Sequence, residues 1–175
     1  MRLEQKQFVP FMVAVAIITM LVIVFSSFNF ERKQRTRFNE NIATSDSLRM
    51  ISLRMLNSPD STTIAAQKGN KTLLVFWASW SDKSTSMLNE IQVYTLENDS
   101  LVVLAGLVKD AEESLPDIPE YPGFIYLDGT HLFNHLKVPG FPSYILFDEN
   151  SNVITSQIGY EKGAGNDSLK VYLDE

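Results

Sequence analysis

The sequence predicts an α/β fold in which a mixed sheet is flanked by helices and preceded by one N-terminal transmembrane helix. Three observations carry this expectation. Two buried-strand segments, Lys71 to Trp77 with its apolar run from Leu73, and Leu101 to Val108, bracket a segment with helical periodicity, the pattern of parallel strands joined by a crossover helix. Two further short strands, Tyr144 to Phe147 and Val153 to Ile158, are separated by the polar turn Asp148 to Asn152 and should pair antiparallel. Residues 7 to 30 contain no charged side chain in 24 positions, enough to cross a hydrocarbon core of roughly 30 Å at about 1.5 Å per residue.

In chain order, residues 1–6 form a short flank and 7–30 the membrane anchor. Pro10 sits near the start, where its missing N–H matters least, and Phe28 and Phe30 suit an interface. Ser26-Ser27 followed by phenylalanines makes a poor signal-peptidase site, which favours an uncleaved anchor. Residues 31–56 read as a basic juxtamembrane segment and linker, polar from Asn39 to Ser47. Leu48 to Leu56 then leads into a globular domain spanning 57–175, as a short helix face or an added edge strand; the pattern fits both. Ile64 to Lys68 is read as one helical turn. Asp82 to Leu96 is a helix with Met87, Ile91, Tyr94 and Leu88 on its inner face. Lys109 to Tyr121 is acidic and broken by Pro116 and Pro119. Phe124 to Leu127 is a short strand, Thr130 to Leu136 a short helix, Val138 to Pro142 a turn, and Asp167 to Leu173 a terminal helix.

Composition removes several chemistries. Among 175 residues there is no cysteine, so the chain has no thiol for disulfide exchange, a thiolate metal site or nucleophilic attack. Six of its 15 basic residues but only two of its 21 acidic ones lie at or before Arg37, leaving 9 and 19 beyond it. A globular part that acidic repels phosphate backbones, and no nucleic-acid partner is expected.

Residues around the first strand and near the C-terminal hairpin carry a resemblance. Phe76-Trp77-Ala78-Ser79-Trp80 matches the F-W-A-x-W that leads into the active-site loop of the thioredoxin superfamily. Val138-Pro139-Gly140-Phe141-Pro142-Ser143 matches its V-x-G-x-P-T/S element, and Phe147 to Val153 its strand–turn–strand, closed by Gly159. With its anchor, the chain resembles membrane-tethered TlpA/ResA-type thiol–disulfide oxidoreductases, over roughly residues 57–175. The resemblance implies a cis peptide bond before Pro142 and a location in the bacterial inner membrane, with the C-terminal domain periplasmic. Arg32, Lys33, Arg35 and Arg37 weakly favour the opposite orientation under the positive-inside rule.

Where the family carries W-C-x-x-C, this chain has Ser81 and Ser84. A hydroxyl cannot form a mixed disulfide and is a far weaker nucleophile than a thiolate. No thiol catalysis and no cofactor are therefore expected. A serine nucleophile at Ser81 would need a base, and Lys83 is the nearest in sequence; the simpler reading is that Ser81 or Asp82 caps the helix. His131 and His135 share a helix face and suit zinc only with further ligands, for which Asp128 and Glu120 are the candidates; no metal site is expected. In the family, the cis-proline loop faces the active-site loop and pairs with extended peptides. That surface maps here to Trp80, Phe141 and Pro142. The expected function is a redox-inactive protein-binding or scaffolding module with an unidentified membrane or envelope protein as partner. The alternatives are an accessory subunit held mainly through its anchor, and a non-thiol enzyme or His-based metal-binding protein.

Overall fold

The computed structural model describes residues 5–44, 47–56, 58–97, 100–109, 121–160 and 166–174. The acidic stretch 110–120, with the candidate ligand Glu120, lies outside these residues, as do Ser45 and Asp46 in the polar linker. The chain divides into two units, one up to Arg37 and one from Phe38 to Glu175.

The first unit is helical. Helix α1 spans Gln5–Thr44, with Pro10 inside it. Because the helix already includes Gln5, Pro10 lies beyond the first turn, and the Lys6 carbonyl loses the N–H it would meet four residues on. Its apolar side chains from Phe8 to Phe30 are exposed. This is the one helix among the described residues long and apolar enough to cross a membrane. A continuous apolar surface of this kind is stable only in a nonaqueous environment or against a partner.

The second unit is organised on a five-stranded sheet, ordered β5-β4-β3-β6-β7. Strands β3 (Lys71–Trp77), β4 (Leu101–Leu107) and β5 (Phe124–Asp128) are parallel, whereas β6 (Ser143–Phe147) and β7 (Val153–Ile158) are antiparallel to their neighbours. The remaining helices are α2 (Asp82–Glu97), α3 (Thr130–His135) and α4 (Asn166–Asp174). The parallel β3–α2–β4 crossover and the β6–β7 hairpin both match the sequence expectation.

Alternation along β3 creates two cores. Leu73, Val75 and Trp77 face one side with Met87, Leu88 and Ile91 of α2 and Leu169 and Leu173 of α4. Leu74 and Phe76 face the other with Leu132 and Phe133 of α3. Phe76 and Trp77 are fully buried, each worth about 1.5–3 kcal/mol relative to exposure. This explains why the strand reads as a continuous apolar run: both its faces are covered.

The N-terminal side of the domain departs from the sequence reading. The polar stretch from Asn39, read as linker, is helical through Thr44. Phe38 and Ile42 are buried in the α3-side core, Asn41 Nδ2–H donates to the Leu136 carbonyl at 2.9 Å, and the Ser156 hydroxyl bonds Asn39. The spacing of four places Phe38 and Ile42 on one helix face. Leu48–Met50 forms a 3-10 turn, and its flanking Ser47 makes no side-chain cap. Strands β1 (Leu53–Arg54) and β2 (Ser61–Thr62) then pair antiparallel. Met55 bridges Leu127, and Leu56 N–H donates to Tyr126. The edge-strand alternative for Leu48 to Leu56 thus describes its second half, which covers the β5 edge.

Candidate functional site

The site is built where β3 ends and α2 begins. Ser81 is the N-cap of α2: its hydroxyl accepts Ser84 N–H at 3.3 Å, and its carbonyl accepts Thr85 N–H at 3.1 Å, the arrangement that satisfies orphan donors at a helix start. Ser81 N–H in turn donates to Ala78 at 3.2 Å, closing the loop. Ser84 is fully buried, and its hydroxyl reaches back to accept Ala78 N–H at 3.3 Å. Asp82 is exposed in the first turn, where its charge favours the positive end of the helix dipole. Both serine hydroxyls are thereby committed to backbone donors of the loop. Among the described residues, no histidine or lysine is hydrogen-bonded to either one.

The loop Val138–Ser143 lies alongside, because Ser143 at the start of β6 pairs with Phe76 near the end of β3. The Phe141–Pro142 peptide bond is cis. Pro142 is buried and its carbonyl accepts Gly159 N–H at 2.8 Å. Gly159 has φ +82°, a conformation that favours glycine. Among the described residues, Phe141 makes no backbone hydrogen bond at its N–H or its carbonyl.

Trp80 and Phe141 meet edge to face across the two loops, with ring centroids 5.1 Å apart and planes at 85°. The Trp80 side chain is nevertheless 65% exposed. Behind it the contacts continue inward: Phe141 lies 6.3 Å from Phe133, and Phe133 lies 5.7 Å from Phe76. An aromatic series therefore leads from solvent to the core. Trp77, by contrast, is wholly interior and packs on Tyr126 at 6.2 Å.

Lys109 completes this corner and was not singled out by the sequence. It stands two residues beyond β4 with φ 56°. Its carbonyl accepts the Trp80 indole N–H at 3.4 Å. Its ammonium lies 5.5 Å from the Phe133 centroid and 5.9 Å from that of Phe141, within cation–π range. No local pattern marks it; its role arises because β4 ends beside β3.

The histidine pair is located elsewhere, on α3. His131 and His135 are exposed, with rings stacked 6.3 Å apart. Asp128 does not turn toward them as a free ligand: it contacts the Arg54 guanidinium at 3.1 Å and accepts Thr130 N–H at 3.1 Å. Partial burial raises its pKa, but the hydrogen bonds from Arg54 and Thr130, with the Arg54 charge, outweigh that and hold it below the ordinary carboxylate value. Among the described residues, no three His, Asp or Glu side chains gather where they could hold a metal ion.

Comparison with solved structures places this arrangement. MTB dsbF superposes with a TM-score of 0.63 at 18% identity, covering 75% of this chain and 98% of its own. The fold is thioredoxin-like. A secreted Mycobacterium tuberculosis disulfide oxidoreductase homologous to E. coli DsbE gives 0.61 at 14% identity, with 74% and 98% covered. StoA from Bacillus subtilis gives 0.53 at 18%, with 70% and 94% covered. No protein-family profile matches the chain, and no curated protein matches it either. Its thioredoxin-like neighbours include thiol–disulfide oxidoreductases, whereas this chain carries that fold without any cysteine.

Proposed function

We propose that this chain is a redox-inactive, membrane-anchored thioredoxin-like protein whose domain binds an extended segment of another membrane or envelope protein. The observation that carries the proposal is the division of labour at the loop. Ser81 and Ser84 are turned inward as helix-capping and loop-closing groups, while Trp80 remains exposed and braced on Phe141 beside Pro142. Exposed aromatic surface next to backbone that makes no backbone hydrogen bond among the described residues suits strand addition, in which main-chain bonds supply affinity and side-chain contacts supply selectivity. The anchor is the apolar part of α1, and the domain lies in the periplasm of a bacterial inner membrane. The four basic residues Arg32, Lys33, Arg35 and Arg37 weigh against that orientation, so topology needs its own test. C-terminal fusions to one reporter active only in the periplasm and another active only in the cytoplasm decide it.

The function is tested by photocrosslinking in intact cells, with a photoreactive residue at 80 or 141 and, as controls, at Leu96 near the end of α2 and Val171 in α4, both exposed. The expected result is one discrete adduct from 80 and 141 and none from the controls. Equal labelling at all four positions overturns the site. A stoichiometric partner that still copurifies in detergent after deletion of residues 31–175 supports the accessory-subunit reading instead, with the exposed apolar helix as the contact.

A further inference from the structure

Lys109 adds a charge to this surface, and we infer that the segment bound there presents a carboxylate to the Lys109 ammonium next to the apolar side chain that covers Trp80. The inference rests on the binding role proposed for Trp80, Phe141 and Pro142. Three observations carry it. The ammonium is held over the faces of Phe133 and Phe141 at 5.5 and 5.9 Å, which fixes it at the edge of the aromatic corner. The carbonyl of the same residue accepts the Trp80 indole N–H, so the cation and the exposed indole form one structural unit. Among the described residues, the single ion pair is Arg54–Asp128, and Lys109 has no carboxylate within ion-pair distance.

Charge distribution makes the position selective. From Phe38 onward the chain has 9 basic and 19 acidic residues, a surface that repels an acidic segment in most registers. The Lys109 ammonium is the cation held on the aromatic corner, so a carboxylate that meets it fixes the register of an otherwise sequence-tolerant strand addition. The aromatic faces contribute apolar area, and the ammonium contributes direction. A side-chain carboxylate and a chain-terminal carboxylate share this chemistry.

The test is selection of random dodecapeptides displayed on phage, against the full chain in lipid nanodiscs and against its Trp80→Ala, Lys109→Met and Lys109→Arg variants. The expected result is a pool whose retention requires Trp80 and in which Asp or Glu at one position beside an apolar residue is enriched about two- to fivefold, the range for an exposed ion pair. The enrichment should vanish with Lys109→Met and persist with Lys109→Arg. Selected peptides resynthesised with amidated and free C-termini then distinguish the two sources of the carboxylate. A Trp80-dependent pool with no acidic preference, or one unchanged by Lys109→Met, overturns this inference and leaves the binding site standing. A pool that does not depend on Trp80 overturns both.

Discussion

Replacing Ser84 with alanine tests whether this loop is a structural element or a reactive one. The hydroxyl of this fully buried side chain accepts Ala78 N–H at 3.3 Å. Without it, the Ala78 donor is stranded in a site where water does not replace the acceptor, at a cost of about 1–3 kcal/mol. The bond is at the long end of its range, which argues for the lower part of that interval. Alanine also favours the helix by roughly 0.5 kcal/mol over serine. The expected net loss is therefore about 1 kcal/mol. Ser81→Ala removes the cap on Ser84 N–H and should cost about 1 kcal/mol as well, whereas Ser81→Asp retains a capping oxygen and should stay within a few tenths of the parent.

Of the two tryptophans of the chain, buried Trp77 precedes this loop and exposed Trp80 lies within it, so fluorescence in a urea titration of the full chain in detergent reports on it directly. The two serine bonds converge on the same four-residue loop, and the double alanine variant should depart from additivity. A Ser84→Ala variant as stable as the parent, together with a Ser81→Asp variant as unstable as Ser81→Ala, would refute the assignment of both hydroxyls.

Two further outcomes follow from the packing. A Cβ at Gly129 would lie 2.8 Å from the Gly106 carbonyl carbon and 2.9 Å from its Cα; these are backbone atoms that cannot rotate away, so Gly129→Ala should destabilise by about 2–3 kcal/mol and displace α3 with Phe133. Gly140→Ala, with nothing within 4 Å, should be nearly neutral by comparison, and equal melting temperatures for the two would contradict the packing. The Tyr144 phenol is pushed up to about 12, first by burial and then by the nearby Tyr172 and Tyr94 hydroxyls. Between the ordinary tyrosine value of about 10 and this one the folded state holds a proton that the unfolded state has lost, so stability falls as pH rises through that window. Phenolate absorbance and denaturation followed from about pH 9 to 11 should show ionisation of Tyr144 only with unfolding, and early ionisation in the folded chain would refute its burial.

The sequence made the sheet legible because its signals are local. Leu73 to Trp77 is apolar on both faces, Asp82 to Leu96 has helical period, and the Asp148 to Asn152 turn sets a hairpin. What escaped it depends on contacts distant along the chain. Phe38 and Ile42 carried a spacing of four, but the surrounding charges of residues 31–40 made the segment read as juxtamembrane. The Gly106–Gly129 approach joins the end of β4 to the start of α3 and has no pattern within either segment. Lys109 is equally silent in sequence: its carbonyl and ammonium find Trp80, Phe133 and Phe141 only once β4 is seated beside β3. The corner's aromatic members were legible through the resemblance, whereas its charge was not.

The serines also show how this fold holds its loop without sulfur. In a thiol active site, the free N–H groups at the start of the helix stabilise a thiolate, and that stabilisation is the source of its reactivity. Here the donors are differently employed. Ser84 N–H is taken by the Ser81 oxygen, and Ala78 N–H by the Ser84 oxygen. Serine is among the preferred capping residues, so the same backbone that would activate sulfur is stabilised by oxygen. These bonds do not involve Trp80 and Phe141, whose contact is between rings, with the indole N–H held by Lys109. Capping and surface are separable at this loop: the serine hydroxyls hold the backbone, and the proposed binding role rests on the aromatic corner with its cation.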